Sequence, residues 1–272
     1  MVSTVARVTV NEQIGGGCRW LVADVQGGWP ESGAGQFAML SLEHPRFPIL
    51  PRPFSLLGWQ RRADGDELEW MIMPVGVGTG LLCSLAPGDA LDVVGPLGHR
   101  MDADLPDGPI VCVGGGYGIA PFVFLLEAWR RQGDPRADRT TVIFGARTES
   151  RLALVERLHA TGSRIELCTD DGSRGRAGRV DARLAEVLAE RPCGMVLTCG
   201  PEAMMEAVGE VCRQAGVPSR ASLETVMGCG YAVCNGCAVA VSDGSKPGGY
   251  TYELACREGT VFDETRLLWH QP

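Results

Sequence analysis

Four cysteines near the C-terminus carry the clearest chemistry in this chain. Cys229, Cys234 and Cys237 are spaced C-x4-C-x2-C, and Cys256 follows after eighteen intervening residues. Thiolate sulfur is a soft metal ligand, and four thiolates at this spacing form the plant-type arrangement that holds a [2Fe-2S] cluster. Gly228, Gly230 and Gly236 lie beside or between the ligands, where the backbone must wrap closely around inorganic sulfide and offer it N–H groups. Four thiolates also suit structural zinc, although zinc sites usually show two separated C-x2-C pairs. Plain buried thiols are the third reading. Of the remaining cysteines, Cys18, Cys83, Cys112 and Cys168 sit within apolar segments and read as small core residues.

Two glycine-rich loops and one arginine suggest phosphate chemistry. Arg52-Pro53-Phe54-Ser55 opens an apolar run, and Gly76-Val77-Gly78-Thr79-Gly80 precedes a short helical stretch, Leu81 to Leu85. A helix start with exposed N–H groups attracts phosphate, and a guanidinium can add a charge-assisted bond to the same group. An ordinary turn and a surface arginine are the plainer alternative. Gly114-Gly115-Gly116-Tyr117-Gly118-Ile119-Ala120-Pro121 runs from an apolar strand into a helix, and its glycines permit close approach of a dinucleotide. It departs from G-x-G-x-x-G, since Ile119 holds the third position. Asp170 and Asp171 follow the third strand of the same region, where an acidic group repels a ribose 2′-phosphate and favours NAD over NADP. Arg174 and Arg176 lie close by and work against that preference.

The elements that position these groups change character along the chain. Apolar or alternating runs at Ala6 to Ile14, Cys18 to Val25, Gln36 to Leu42, Phe54 to Trp59, Leu68 to Val75 and Ala90 to Val94 predict six antiparallel strands closing into a barrel. From Pro109 the pattern becomes strand and helix in turn. Strands are expected at Ile110 to Val113, Thr141 to Phe144, Arg164 to Cys168 and Met195 to Thr198, and helices at Ile119 to Arg131, Glu149 to Ala160, Val180 to Glu190 and Pro201 to Ala215. That repeat specifies a parallel sheet. A cysteine- and glycine-rich tail then begins, too short to be stable through an apolar core alone. The expected fold class is a multi-domain α+β chain: a barrel over residues 1–101, an α/β nucleotide domain over 102–218 and a cysteine-rich unit over 219–272.

Composition narrows the partners. The chain has 272 residues, 45% hydrophobic and 21% charged, with a formal net charge of -8. That charge opposes nucleic acid and anionic lipid surfaces. Met1 to Gln13 lacks the basic and apolar regions of a secretion signal, so a cytoplasmic location is expected, and the weakly charged stretch Pro109 to Leu126 is too interrupted by glycine to span a membrane.

Together these features resemble the ferredoxin-reductase superfamily, and within it the electron-transfer subunits of class 1B dihydroorotate dehydrogenases. The resemblance rests on Arg52 to Ser55, Gly78-Thr79, Gly114 to Pro121, Cys199-Gly200-Pro201, and Ser222-Leu223-Glu224 to Met227 leading into the four cysteines, and Val261-Phe262-Asp263 extends it to the end of the chain. It implies FAD held by Arg52, Pro53, Phe54 and Ser55, by Met71, Ile72 and Met73, and by Gly78 and Thr79. It implies a nicotinamide dinucleotide on Gly114, Gly115, Gly116, Gly118, Pro121, Asp170, Gly200 and Pro201, with Cys199 in the catalytic position and the four cysteines on the cluster. The implied partner is a catalytic FMN subunit that interconverts dihydroorotate and orotate in pyrimidine biosynthesis, in a heterotetramer of two plus two. Other partners would make the chain the small subunit of an NADH-dependent ferredoxin:NADP oxidoreductase or of a sulfide dehydrogenase. A non-enzymatic scaffold with zinc in its tail is the alternative from another class. The visible spectrum of purified protein separates these outcomes: flavin and cluster colour the protein, whereas zinc alone leaves it colourless.

Overall fold

The computed structural model describes residues 1–270. Alternating side chains in the first hundred residues close six strands into an antiparallel barrel. The strands are β1 (Val2–Ile14), β2 (Cys18–Val25), β3 (Phe37–Ser41), β4 (Arg52–Arg62), β5 (Gly65–Ile72) and β6 (Ala90–Leu97), ordered β1-β2-β5-β4-β3-β6 with β6 returning to β1. Inward-facing Ala6, Val8, Leu21, Ala23, Leu56, Trp70, Leu91 and Val93 fill it, each essentially without solvent contact. A short helix, α1 (Val77–Cys83), follows β5.

The second region alternates β7 (Ile110–Gly115), α2 (Ala120–Gln132), α3 (Arg136–Arg139), β8 (Thr141–Ala146), α4 (Val155–Ala160), β9 (Arg164–Thr169), β10 (Arg176–Ala177), α5 (Val180–Glu190), β11 (Met195–Cys199), α6 (Glu202–Ala215) and β12 (Ser219–Ser222). The tail adds β13 (Ala238–Ser242), β14 (Tyr250–Leu254), α7 (Ala255–Glu258) and β15 (Val261–Asp263). The sheet runs β10-β9-β8-β7-β11-β12-β15, parallel up to β12, with β15 antiparallel at its edge. The tail therefore completes the nucleotide sheet, besides forming its own β13–β14 ribbon.

The expected barrel and parallel sheet are both present, and two expected helices differ. The helix expected over Glu149 to Ala160 is a 3-10 turn, then Leu154 in the left-handed region (φ 60°), then α4. The barrel turn 15–17 explains the break: a Cβ at Gly15 would stand 2.8 Å from the Leu152 carbonyl oxygen, so bare backbone from both domains meets here. The helix expected from Leu81 starts at Val77 instead, because the Thr79 hydroxyl accepts from the N–H groups of Val75 and Gly76, at 2.9 Å each, and caps it. Strands β10, β12 and β15 are too short to leave a periodic signal.

Arg157 on α4 fixes the barrel to the nucleotide domain. Its guanidinium pairs with Glu69 of β5 at 2.9 Å and with both oxygens of Glu127 on α2 at 2.8 and 2.7 Å, and it lies 5.5 Å from the Trp20 ring centroid. Trp20 in turn donates its indole N–H to Glu69 at 2.7 Å. Removing the cation leaves two half-buried carboxylates facing each other. Arg157→Ala should therefore cost about 2 kcal/mol of stability, read as a lower urea midpoint.

Candidate functional site

The order of the parallel sheet reverses between β7 and β11, and such a reversal opens a crevice at the strand ends where nucleotides bind. Gly114 and Cys199 are register partners across that pair, so the glycine-rich loop and the Cys199-Gly200-Pro201 loop meet at the crevice floor. Glycine is required there. A Cβ at Gly118 would run into the Cys199 carbonyl, and one at Gly115 would lie 2.9 Å from Pro201 Cδ. Pro121 sits in the first turn of α2, where its missing N–H costs nothing.

Cys199 is buried, and burial first, then the charge of Glu224, push its thiol well up, with Ser222 partly offsetting them by a hydrogen bond. The thiol is protonated at neutral pH and is no nucleophile. Glu224 lines a cleft of about 510 Å³ with Gly200, Pro201, Glu202 and Leu223. Solvent reaches its side chain through the cleft, yet the surrounding protein strips hydration from the carboxylate and holds it at about 7. At the outer end of the crevice Asp171 is tied up by the backbone N–H and hydroxyl of Ser173, at 3.0 and 2.6 Å, leaving Asp170 as the less encumbered carboxylate.

Across the gap lies the barrel rim. Arg52 donates to the carbonyls of Leu50 and Pro51 at 3.2 and 3.4 Å, and among the described residues it pairs with no carboxylate. Pro53, Phe54 and Ser55 continue β4 opposite Met39, Ala38 and Phe37. Met71 and Ile72 end β5, and Met73 follows just outside it. Gly78 faces Pro48, while space is open beside Gly76 and Gly80. The Thr79 hydroxyl is occupied within its own turn, so it shapes the loop while the loop's other groups remain available.

The four cysteines converge in the tail. Ala232 (φ 64°), Asn235 (φ 56°) and Gly230 (φ 84°) take left-handed conformations that turn successive N–H groups inward. Ala232 N–H donates to Cys256 Sγ at 3.2 Å, Val233 N–H to Cys229 Sγ at 3.3 Å and Gly236 N–H to Cys234 Sγ at 3.5 Å. Cys237 donates its thiol to Cys256 at 3.1 Å. Burial opposes the Cys229 thiolate, but the N–H groups of Cys234, Tyr231 and Val233 outweigh it and bring the thiol down to about 7. Four sulfurs at this spacing, with backbone N–H groups turned toward them, suit a [2Fe-2S] cluster.

Comparison with known proteins agrees with this geometry. Residues 112–210 match the model of the oxidoreductase NAD-binding domain, and residues 224–268 that of the iron–sulfur cluster binding domain of dihydroorotate dehydrogenase B. The dihydroorotate dehydrogenase B (NAD(+)) electron transfer subunit of Desulforamulus reducens is 32% identical over 86% of each chain. A probable subunit of the same kind from Methanocaldococcus jannaschii is 35% identical over 84% of this chain and 78% of its own. The chain belongs to the family of dihydroorotate dehydrogenase B electron transfer subunits. Among solved structures, an NADH-dependent reduced ferredoxin-NADP oxidoreductase superimposes with a TM-score of 0.80 and 26% identity, over 97% of this chain and 90% of that one.

The residues present fit the groups that this family implies. The four sulfurs and inward N–H groups suit a [2Fe-2S] cluster, and a rim arginine without a carboxylate together with open glycine turns suits a pyrophosphate. Sequence reasoning assigned no role to Met39 or Leu97, which bear directly on the cysteine loop: a Cβ at Gly230 would press into the Met39 side chain and lie 3.4 Å from Leu97 Cδ1. No sequence signal marks that contact, which joins residues more than a hundred positions apart. Gly230→Ala meets both this obstruction and a left-handed backbone. It should lower the iron and acid-labile sulfide bound per chain severalfold while flavin is retained, as measured by metal analysis and absorbance.

Proposed function

We propose that the chain is the electron-transfer subunit of an NAD-linked dihydroorotate dehydrogenase and relays electrons between a nicotinamide dinucleotide and a catalytic FMN subunit, in a heterotetramer of two plus two. The observation that carries this reading is the seating of the cysteine loop on barrel strands β3 and β6, next to the rim that begins at Arg52. FAD supplies the step between two-electron hydride chemistry and one-electron transfer, and a [2Fe-2S] cluster carries single electrons onward. In this proposal residues 1–101 hold FAD, 102–218 the dinucleotide and 219–272 the cluster.

The chain's own residues have distinct tasks. Arg52 neutralises the FAD pyrophosphate, and Pro53, Phe54, Ser55, Met71, Ile72, Met73, Gly78 and Thr79 shape the flavin bed. Gly114, Gly115, Gly116, Gly118 and Pro121 bring backbone and the α2 N-terminus to the dinucleotide phosphates, and Asp170 holds the adenosine ribose. Cys199, Gly200 and Pro201 form the floor under the nicotinamide. Cys199 acts there through its shape, as a neutral thiol that leaves room for the ring. The four thiolates hold the cluster, sheltered by N–H donors.

Cys234 is the exposed member of the four, and the exposed apolar side chains Ile49, Leu50, Val226, Tyr231 and Val233 come from its own loop and from the segments that adjoin it. Apolar groups at the exposed edge of a redox centre suit the docking of a protein partner. No helix among the described residues is long and apolar enough to cross a membrane, and we place the complex in the cytoplasm. The structural likeness to the ferredoxin-NADP oxidoreductase favours a second reading, with the same relay and another partner.

Co-purification with the catalytic subunit and an assay of dihydroorotate-dependent NAD+ reduction test the proposal. Cys234→Ser should retain flavin and NADH oxidation by a small-molecule acceptor but lose NAD+ reduction by the complex. Val233→Asp should weaken the complex about tenfold by placing a charge in an apolar contact. Full activity of the Cys234→Ser complex would remove the cluster from the route.

A further inference from the structure

The glycine-rich loop carries a large exposed side chain, Tyr117, and a buried one, Ile119. Gly114, Gly115, Gly116 and Gly118 present bare backbone, whereas the ring of Tyr117 stands out from the loop and is 48% exposed. The loop backbone gives it no freedom to retreat, since Gly116–Ile119 form a 3-10 turn locked against the Cys199 carbonyl through Gly118. Beside it, Gly116 has a positive φ (56°) and open space where a side chain would be.

The turn locates the ring: Gly118, the next residue, packs so closely on the Cys199 carbonyl that a Cβ there would run into it, which sets Tyr117 at the crevice floor. Its phenol feels Glu224 most strongly, then burial, then Cys199 and Cys18, all of which favour the neutral hydroxyl. These groups come from three different parts of the molecule. Cys199 ends β11 at the crevice floor, Glu224 lies just beyond β12, and Cys18 begins β2. In the barrel register the next residue of β2, Arg19, faces Ile72, and Trp20 faces Met71, so Cys18 lies at the end of β5 assigned above to the flavin bed. The turn that carries the ring is thus held at the Cys199 end of the crevice floor, where β7 ends, with β8 separating it from the adenosine end marked by Asp170 after β9.

We infer that Tyr117 is the aromatic surface on which the nicotinamide ring stacks as it enters between Cys199 and the flavin bed, so that this side chain sets the affinity for the nicotinamide end of the dinucleotide. The inference rests on the function proposed above. A flat, half-exposed ring held on a rigid turn loses little freedom when another flat ring covers it, and offset stacking adds to the area buried. The phenol hydroxyl is not needed for this, because a face contact uses the ring alone.

Three forms of the holoprotein test it: wild type, Tyr117→Phe and Tyr117→Ile. NADH oxidation is followed with a small-molecule acceptor, and NAD+ binding by titration calorimetry. Tyr117→Ile should raise the KM for NADH and the Kd for NAD+ about fivefold, with kcat changed less and the flavin and cluster absorbance intact. Tyr117→Phe should restore both constants to within about twofold of wild type. An unchanged KM and Kd in Tyr117→Ile would overturn the inference, as would a Phe variant as weak as the Ile variant, since the hydroxyl would then be the operative group. Loss of flavin from Tyr117→Ile would also overturn it by assigning the ring to the flavin bed. If wild type itself fails to oxidise NADH, the function proposed above fails first.

Discussion

The contact on which the molecule depends is between the cysteine loop and the outside of the barrel. Phe37 and Met39 of β3 and Leu97 of β6 share one apolar cluster with Met227, Cys237, Ala255, Cys256, Phe262 and Leu267 of the tail, with Ala221 of β12 and with Met205 of α6 in the nucleotide domain. All three parts of the chain meet in that cluster. A tail of this size cannot bury enough of its own surface to be stable, so it borrows a wall from the barrel and one from the sheet. An electron relay works only while its stations keep their separations, and shared burial is what holds them.

Polar contacts complete the attachment. His99 N–H donates to the Gly259 carbonyl at 2.7 Å, the Thr260 hydroxyl to the Gly35 carbonyl at 2.8 Å, and Leu223 N–H to the Thr260 carbonyl at 2.9 Å. One short tail segment is therefore stitched to the barrel on one side and to the end of β12 on the other. Arg157 does the corresponding work on the far side of the barrel, where a half-buried cation between two carboxylates and an indole resists sliding of the domains.

At the crevice the constraint is steric. The glycine loop and the Cys199-Gly200-Pro201 loop approach so closely that side chains are excluded from Gly115 and Gly118, and the burial that results keeps the Cys199 thiol neutral. A residue given the catalytic position by resemblance thus has a packing environment. Its neighbour Glu224 has the reverse one, a carboxylate open to a cleft and only partly hydrated.

Much of this was legible in the residues. Period-two alternation marks the six barrel strands because each must bury one face, and apolar runs alternating with helical ones mark the parallel sheet. The spacing from Cys229 to Cys237 is local, so the loop that wraps a cluster is written directly in the chain. What the tertiary structure alone decided are the contacts between distant residues: Met39 beneath Gly230, Arg157 between Glu69 and Glu127, β15 closing the nucleotide sheet, and the Tyr117 turn against the Cys199 carbonyl. The physical reason is that spacing and periodicity report what a segment does with its own neighbours in sequence. Which surfaces of separate segments fit together depends on shape, and shape exists only after the backbone has folded.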